Sequence, residues 1–230
     1  AASGSSPFLD AGAPPAPGWM LRQPTLARTR ERLAHEGRAG FYAGAVARAL
    51  VDGVREAGGI WSAEDLAAYR VVEREPVRGR AGELSFTAAA LPSSGGIVLA
   101  QILNVLADDP LTDLDQASRD HLLIEAMRRA YRDRAAHLGD PDQVAVPVAR
   151  LLSPDYAAGL RAGIHPERAT PSDLLPGVSD PARGSDTTHF SVIDREGNRV
   201  AATMSLNYPF GSGFVAPGTG VLLNDEMDDF

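Results

Sequence analysis

The stretch Gly184-Ser185-Asp186-Thr187-Thr188-His189-Phe190-Ser191-Val192-Ile193-Asp194 divides this chain into two unlike parts. Upstream, Pro166, Pro171, Pro176, Gly177, Pro181 and Gly184 punctuate a polar run with almost no periodicity, so residues 166–185 are expected to form an exposed, mobile linker. Downstream, Phe190, Val192 and Ile193 lead into the turn Asp194-Arg195-Glu196-Gly197-Asn198, and residues 200–206 make the return strand. Thr187 and Thr188 sit where the linker meets an expected buried strand. On spacing alone they read as β-branched residues opening that strand. Spacing favours that strand reading over the other that the site allows, a chain-cutting point, although a threonine at a new N-terminus has a chemical use. Its hydroxyl is a weak nucleophile by itself, but its own α-amine, with a pKa of about 7.7–8.0, can take the proton.

Composition sets the outer bounds. The chain has 230 residues, 44% hydrophobic and 23% charged, with a formal net charge of -8. That balance argues against a nucleic-acid partner, which needs clustered Lys and Arg. The arginines at 128, 129, 132 and 134 alternate with Glu125 and Asp133 at helical spacing and read as a solvated helix face. There is no cysteine, so disulfide and thiolate chemistry are excluded. No apolar run reaches the roughly 20 residues that span a bilayer. The chain opens on Ala1-Ala2-Ser3 without Met and stops at Phe230, and it reads as an excerpt.

The remaining elements follow from periodicity and punctuation. A linker over residues 1–18 precedes a helix from Pro24 that Gly37 ends, with Leu26, Thr29, Arg30, Leu33 and Ala34 on one face. A second helix is expected from Phe41 to Ala57, stopped by Gly58-Gly59. Ser62 to Asp65 should cap a short helix through Tyr69. Val71-Val72, Val77, Leu84, Phe86 and Ala88 suit strands joined by a turn at Arg78-Gly79. Pro92-Ser93-Ser94-Gly95-Gly96 reads as a turn and N-cap feeding a buried helix. A longer helix should cover Gln116 to Leu138, and a short one should start at Ser153-Pro154.

Several tempting motifs dissolve on inspection. Gly211-Ser212-Gly213 lacks both the GxGxxG spacing and a following helix, so it is a turn. No GxSxG surrounds Ser93 and Ser94. The histidines at 35, 121, 137, 165 and 189 have no metal-ligand spacing, so neither a metal nor a cofactor is expected. His189 shares a strand face with Thr187, and a structural role suits it better than acid-base work.

The run Thr187 to Asp194, continuing through Gly197-Asn198 to Asn207, resembles the start of the small subunit of γ-glutamyltranspeptidases. Gly220-Val221-Leu222-Leu223-Asn224-Asp225-Glu226-Met227-Asp228-Asp229-Phe230 is similar to a second block of that family. Upstream, Leu21-Arg22-Gln23-Pro24-Thr25-Leu26, Gly58-Gly59 with Asp65 to Tyr69, Pro92 to Gly96, and Leu138-Gly139-Asp140-Pro141-Asp142 fit in family order. The resemblance covers nearly the whole chain from about residue 20.

It implies an α+β fold, the N-terminal-nucleophile αββα sandwich, incomplete in this chain. Residues 1–186 would be the C-terminal part of a large subunit and 187–230 the start of a small one, with the precursor cutting itself between Asp186 and Thr187. Thr187 would be nucleophile and, through its free amine, base. Ser205 stands where the family has a hydroxyl, usually Thr, that hydrogen-bonds the nucleophile. Asn207, Glu226 and Asp229 fall on positions that hold the α-amino and α-carboxylate ends of the substrate, a chemistry that suits their donors and acceptors. The implied substrates are glutathione and other γ-glutamyl compounds, with water, an amino acid or a peptide as acceptor. A related acylase such as a cephalosporin acylase, or a non-catalytic fragment that only associates with a partner chain, are the rival readings. Family habit implies the periplasm or the exterior. The family's carboxylate-binding arginine, paired serines and Gly-Gly oxyanion hole would lie outside residues 1–230, so little turnover is expected of these residues alone.

Overall fold

The computed structural model describes residues 6–175 and 187–229, the last two by backbone alone. They fall into two compact units, one drawn from Ala1–Val71 and Ala182–Phe230, the other from Val72–Pro181.

In the first unit α1 (Pro24–Glu36) starts on a proline, which needs no hydrogen bond there, and stops where Gly37 turns to φ 58 and donates to the Leu33 carbonyl. Its expected apolar face is only partly used: Thr29 is buried, while Leu33 is 43% exposed. The helix expected from Phe41 to Ala57 is two helices. Ala43 is extended and Gly44 takes φ 67, separating α2 (Ala39–Tyr42) from α3 (Gly44–Glu56). α3 buries Val46, Ala47, Leu50, Val51 and Val54 along one face, and the amides of Gly58 and Gly59 close it on Arg55 and Val54. α4 (Ala63–Ala68) carries the expected capping box, Ser62 and Asp65 each accepting the other's backbone N–H.

The C-terminal segment is held between these helices. Ala216 is fully buried beside Leu50, Val51 and Leu66, with Phe214, Val221 and Leu223 packed around them. Thr29 donates from Oγ1 to the Thr219 carbonyl at 2.7 Å, and Gly53 lies directly under Pro217. Burying a Leu50-sized side chain stabilises by about 2 kcal/mol, so residues 214–223 are fixed by the same core that orders α3.

β3 (Thr187–Ile193) and β4 (Arg199–Ser205) form the expected antiparallel hairpin, in a register that pairs Thr187 with Ser205 and His189 with Thr203. Asn198 donates its backbone and side-chain N–H groups to Asp194, closing the turn and holding the Asp194 carboxyl below its usual range. The expectation of a buried strand is not met. Every residue of β3 is exposed, because a lone pair of strands supplies cross-strand neighbours but no covering layer.

In the second unit β1 (Val77–Ala81) and β2 (Leu84–Ala88) turn at Gly82, φ 57, not at Arg78-Gly79, and residues 71–72 form no strand. α5 (Gly95–Val105) is the expected buried helix, with Ile97, Ala100 and Val105 in the core. Ser94 precedes it in helical conformation and caps nothing; its Oγ instead accepts from Arg134 Nε at 3.0 Å. α7 (Val148–Leu151), which periodicity did not reveal, adds Leu151 to the core, and α8 (Pro154–Ala162) starts at Ser153-Pro154 as expected, with the Ser153 side chain capping it.

α6 (Gln116–His137) leaves Arg132 exposed as expected of a solvated charged face, but departs from that expectation at Glu125, Arg129 and Asp133. Leu122, Glu125, Ala126, Arg129, Ala130 and Asp133 are one buried stripe. Asp133 accepts from Gln101 Nε2 and Tyr156 Oη at 2.6 and 2.9 Å. Glu125 is paired with Arg128 and Arg129 at 2.6 and 2.7 Å, and Thr170 donates both its N–H and its hydroxyl to the same carboxylate. Burial alone would raise the Glu125 carboxyl, but Thr170, Arg129 and Arg128 together outweigh it and hold it at about 2. The first part of the expected linker is thereby tied to α6; residues 176–185 lie outside the described residues. Among the described residues no helix is long and apolar enough to cross a membrane.

Candidate active site

β3 opens on Thr187, and strand register sets the first side chain opposite Ser205 at the end of β4. Their hydroxyl oxygens lie 3.0 Å apart. Ser205 Oγ also accepts the backbone N–H of Asn207 at 2.9 Å. With a lone pair so occupied, the serine hydroxyl proton is free to point at Thr187 Oγ1. Such an arrangement is able to stabilise negative charge on the threonine oxygen, the support a hydroxyl nucleophile would need.

The chain leaves β4 through an unusual backbone. Asn207 has φ 72, a left-handed conformation that asparagine tolerates better than other non-glycine residues. Its side chain donates from Nδ2 to the Asp225 carbonyl at 3.3 Å. Asp225 in turn donates its N–H to the Leu206 carbonyl, and its Oδ1 accepts from the Tyr208 N–H, both at 3.2 Å. Nearby, Glu226 is half-buried and its N–H donates to Asn224 Oδ1 at 3.0 Å.

The fold thus brings Thr187, Ser205 and Asn207 into one hydrogen-bonded row and sets the turn bearing Glu226 beside it. Asp229 closes a 3₁₀ turn, Glu226–Asp229, and its side chain lies outside the described residues, as does Asp186. The acidic turn is engaged at Asp225, whose only signal in the sequence was adjacency to Glu226. His189 Nδ1 is 2.8 Å from Thr203 Oγ1, a cross-strand pair that fits a structural role. Among the described residues no group of His, Cys, Asp or Glu could hold a metal ion.

An α+β chain that presents paired hydroxyls at the first position of a strand fits the class of N-terminal-nucleophile hydrolases, and comparison with known proteins agrees. The chain belongs to the γ-glutamyltranspeptidase family: the family model Gamma-glutamyltranspeptidase matches residues 2–230. It is 46% identical over 226 residues to a glutathione hydrolase proenzyme of Pseudomonas sp. (strain A14), covering 97% of this chain and 39% of that relative. It is 39% identical over 225 residues to the acylase ACY 1 proenzyme of Pseudomonas sp. (strain SE83), covering 97% of this chain and 40% of the relative. Among solved structures, the γ-glutamyltranspeptidase of Helicobacter pylori is 34% identical with a TM-score of 0.70, over 77% of this chain and 53% of that one. The chain therefore spans about two fifths of the curated relatives it matches.

Proposed function

We propose that this chain carries the nucleophile half of a γ-glutamyl-transferring enzyme, which acts on glutathione and other γ-glutamyl amides through a threonyl ester. The observation that supports it most directly is the Thr187–Ser205 hydroxyl pair at the start of β3, 3.0 Å apart. In the precursor, Thr187 Oγ1 attacks the Asp186 carbonyl carbon, the Asp186–Thr187 amide bond breaks, and the acyl group passes to the hydroxyl oxygen. Water hydrolyses that ester, leaving the Asp186 carboxylate and a free Thr187 amine. Residues 1–186 then belong to a large subunit and 187–230 to the start of a small one. The naming of relatives as proenzymes accords with this processing.

In the mature cycle the Thr187 α-amine, with a pKa of about 7.7–8.0, takes the hydroxyl proton. The oxygen attacks the γ-carbonyl of the substrate, the leaving amine departs with that proton, and water or an acceptor amine resolves the γ-glutamyl ester. Asn207, Glu226 and Asp229 hold the α-amino and α-carboxylate groups of the glutamyl head, carboxylates accepting from the ammonium and the amide serving either end. Ping-pong kinetics follow. The test is a γ-glutamyl-p-nitroanilide assay on the whole precursor, with Thr187→Ala alongside. Turnover should vanish with the threonine, and turnover that persists overturns the assignment.

A second reading has one specific observation behind it, the 39% identity to an acylase proenzyme. It keeps Thr187 and Ser205 in the same roles and changes the acyl group. Acyl amides without an amino-acid head, turned over faster than γ-glutamyl ones by the same precursor, would favour it.

A further inference from the structure

Asp225 touches neither hydroxyl of the Thr187–Ser205 pair, yet it sets the geometry of the loop that serves them. Two peptide groups flank Asn207, and Asp225 holds both. Its N–H donates to the carbonyl of Leu206, on the peptide before Asn207, and its Oδ1 accepts the N–H of Tyr208, on the peptide after. Its own carbonyl takes the third contact, from Asn207 Nδ2. One residue therefore fixes φ, ψ and the side chain of a non-glycine residue standing at φ 72.

The consequence reaches Thr187 through a single peptide plane. The plane that joins Leu206 to Asn207 presents its carbonyl to Asp225 and, from its opposite edge, its N–H to Ser205 Oγ at 2.9 Å. Rotating that plane would withdraw the N–H from Ser205, and the serine hydroxyl would lose its reason to aim its proton at Thr187 Oγ1. A left-handed asparagine relaxes towards ordinary backbone unless its neighbours over-determine it. Close packing supports the same loop: Gly211, φ 50, lies against Asn224, and Ser212 donates both its N–H and its hydroxyl to the Leu223 carbonyl at 3.0 Å.

We propose that Asp225 is a positioning residue for the nucleophile, acting through Asn207 and Ser205 by hydrogen bonds, its side chain serving as an acceptor and not as a charge. The proposal rests on the reading of Thr187 as nucleophile. It is tested in the whole precursor with Asp225→Ala, Asp225→Asn, Ser205→Ala and the double variant Asp225→Ala/Ser205→Ala. Two readouts are followed: the self-cleavage rate by denaturing mass analysis, and the acylation burst on γ-glutamyl-p-nitroanilide.

Asp225→Ala removes the Oδ1 contact to the Tyr208 N–H and keeps the two backbone contacts; it should slow both readouts by about 10-fold, as the loop around Asn207 relaxes and the hydrogen bond to Ser205 weakens. KM is free to change as well, because Asp225 also holds the Asn207 side chain; the readout that isolates Thr187 is therefore the self-cleavage rate, which involves no γ-glutamyl substrate. Asp225→Asn keeps an oxygen acceptor and should recover to within about 3-fold of wild type. The double variant should be no slower than Ser205→Ala alone, because both changes act on one path; a merely structural role would make the losses multiply. Should Asp225→Ala fail to fold, Asp225→Ser, whose hydroxyl is one atom too short for Tyr208, takes its place in the same cycle. Multiplying losses, an Asp225→Asn as slow as Asp225→Ala, or an unimpaired Asp225→Ala overturns the positioning role while leaving the function reading intact. A Thr187→Ala precursor that still cleaves and turns over sinks the function reading, and Asp225's role with it.

Discussion

Thr187 Oγ1 and Ser205 Oγ stand 3.0 Å apart because β3 and β4 pair those two residues directly, and Ser205 is polarised from behind by the Asn207 N–H. A hydroxyl that already accepts one hydrogen bond is a better donor to its neighbour. Removing it should matter most when charge develops on Thr187. Ser205→Ala is expected to lower kcat about 10- to 100-fold, the worth of one hydrogen bond to a charged group. Ser205→Thr, which keeps the hydroxyl, should stay near wild type. Steady-state kinetics of the two variants check this, and equal losses in both would point to packing instead.

Self-cleavage should depend on the same oxygen. Incubation should convert the 230-residue chain, or the precursor containing it, at the bond before Thr187, giving pieces of 186 and 44 residues from the chain itself. Thr187→Ala should give none, and Thr187→Ser should cleave more slowly. Denaturing mass analysis reads the outcome; cleavage at that bond persisting in the alanine variant overturns the role of Thr187.

The Glu125 cluster predicts an acid transition. The folded carboxyl sits at about 2, below its unfolded value of about 4.5. A depressed carboxyl contributes stability that is complete above the unfolded pKa and is lost as pH falls through the folded one. Stability should therefore decline between about pH 4.5 and pH 2, by an amount on the order of 3 kcal/mol. Glu125→Gln should flatten that segment of the curve. Glu125→Ala should cost about 3–5 kcal/mol at neutral pH, because it leaves Arg129 buried beside no carboxylate. Urea titrations across pH measure both.

Gly220 should resist any side chain. It holds φ 70, and a Cβ there would meet the Leu26 backbone nitrogen at 2.5 Å. Gly220→Ala is expected to destabilise by about 2–4 kcal/mol, combining the left-handed backbone cost with displacement of α1. Because the same segment leads into Asp225 and Glu226, thermal unfolding should fall together with the self-cleavage rate.

Much of the local structure was legible in the residues themselves. Pro24 and Gly37 bound α1, Ser62 and Asp65 cap α4, and alternation about the turn at Asp194 to Asn198 specifies the hairpin. Each of these is decided within a few residues, by capping, punctuation and period. Family membership was legible too, because it lies in ordered blocks of sequence that the comparisons bear out.

Tertiary structure alone decided the rest. Charges spaced along α6 look solvated until Thr170, 45 residues from Glu125, donates to that carboxylate and accepts from Arg129, which lets both be buried. Gly44 gives no sign that it will break a helix instead of extending one until its φ is seen. At the site, sequence placed Thr187 and Ser205 on a hairpin, but neither composition nor period could show Asp225 gripping both peptides around Asn207. The physical reason is the same throughout. Patterns of apolar and turn residues encode local conformation, whereas the satisfaction of a polar group depends on partners that only the folded chain brings within hydrogen-bonding distance.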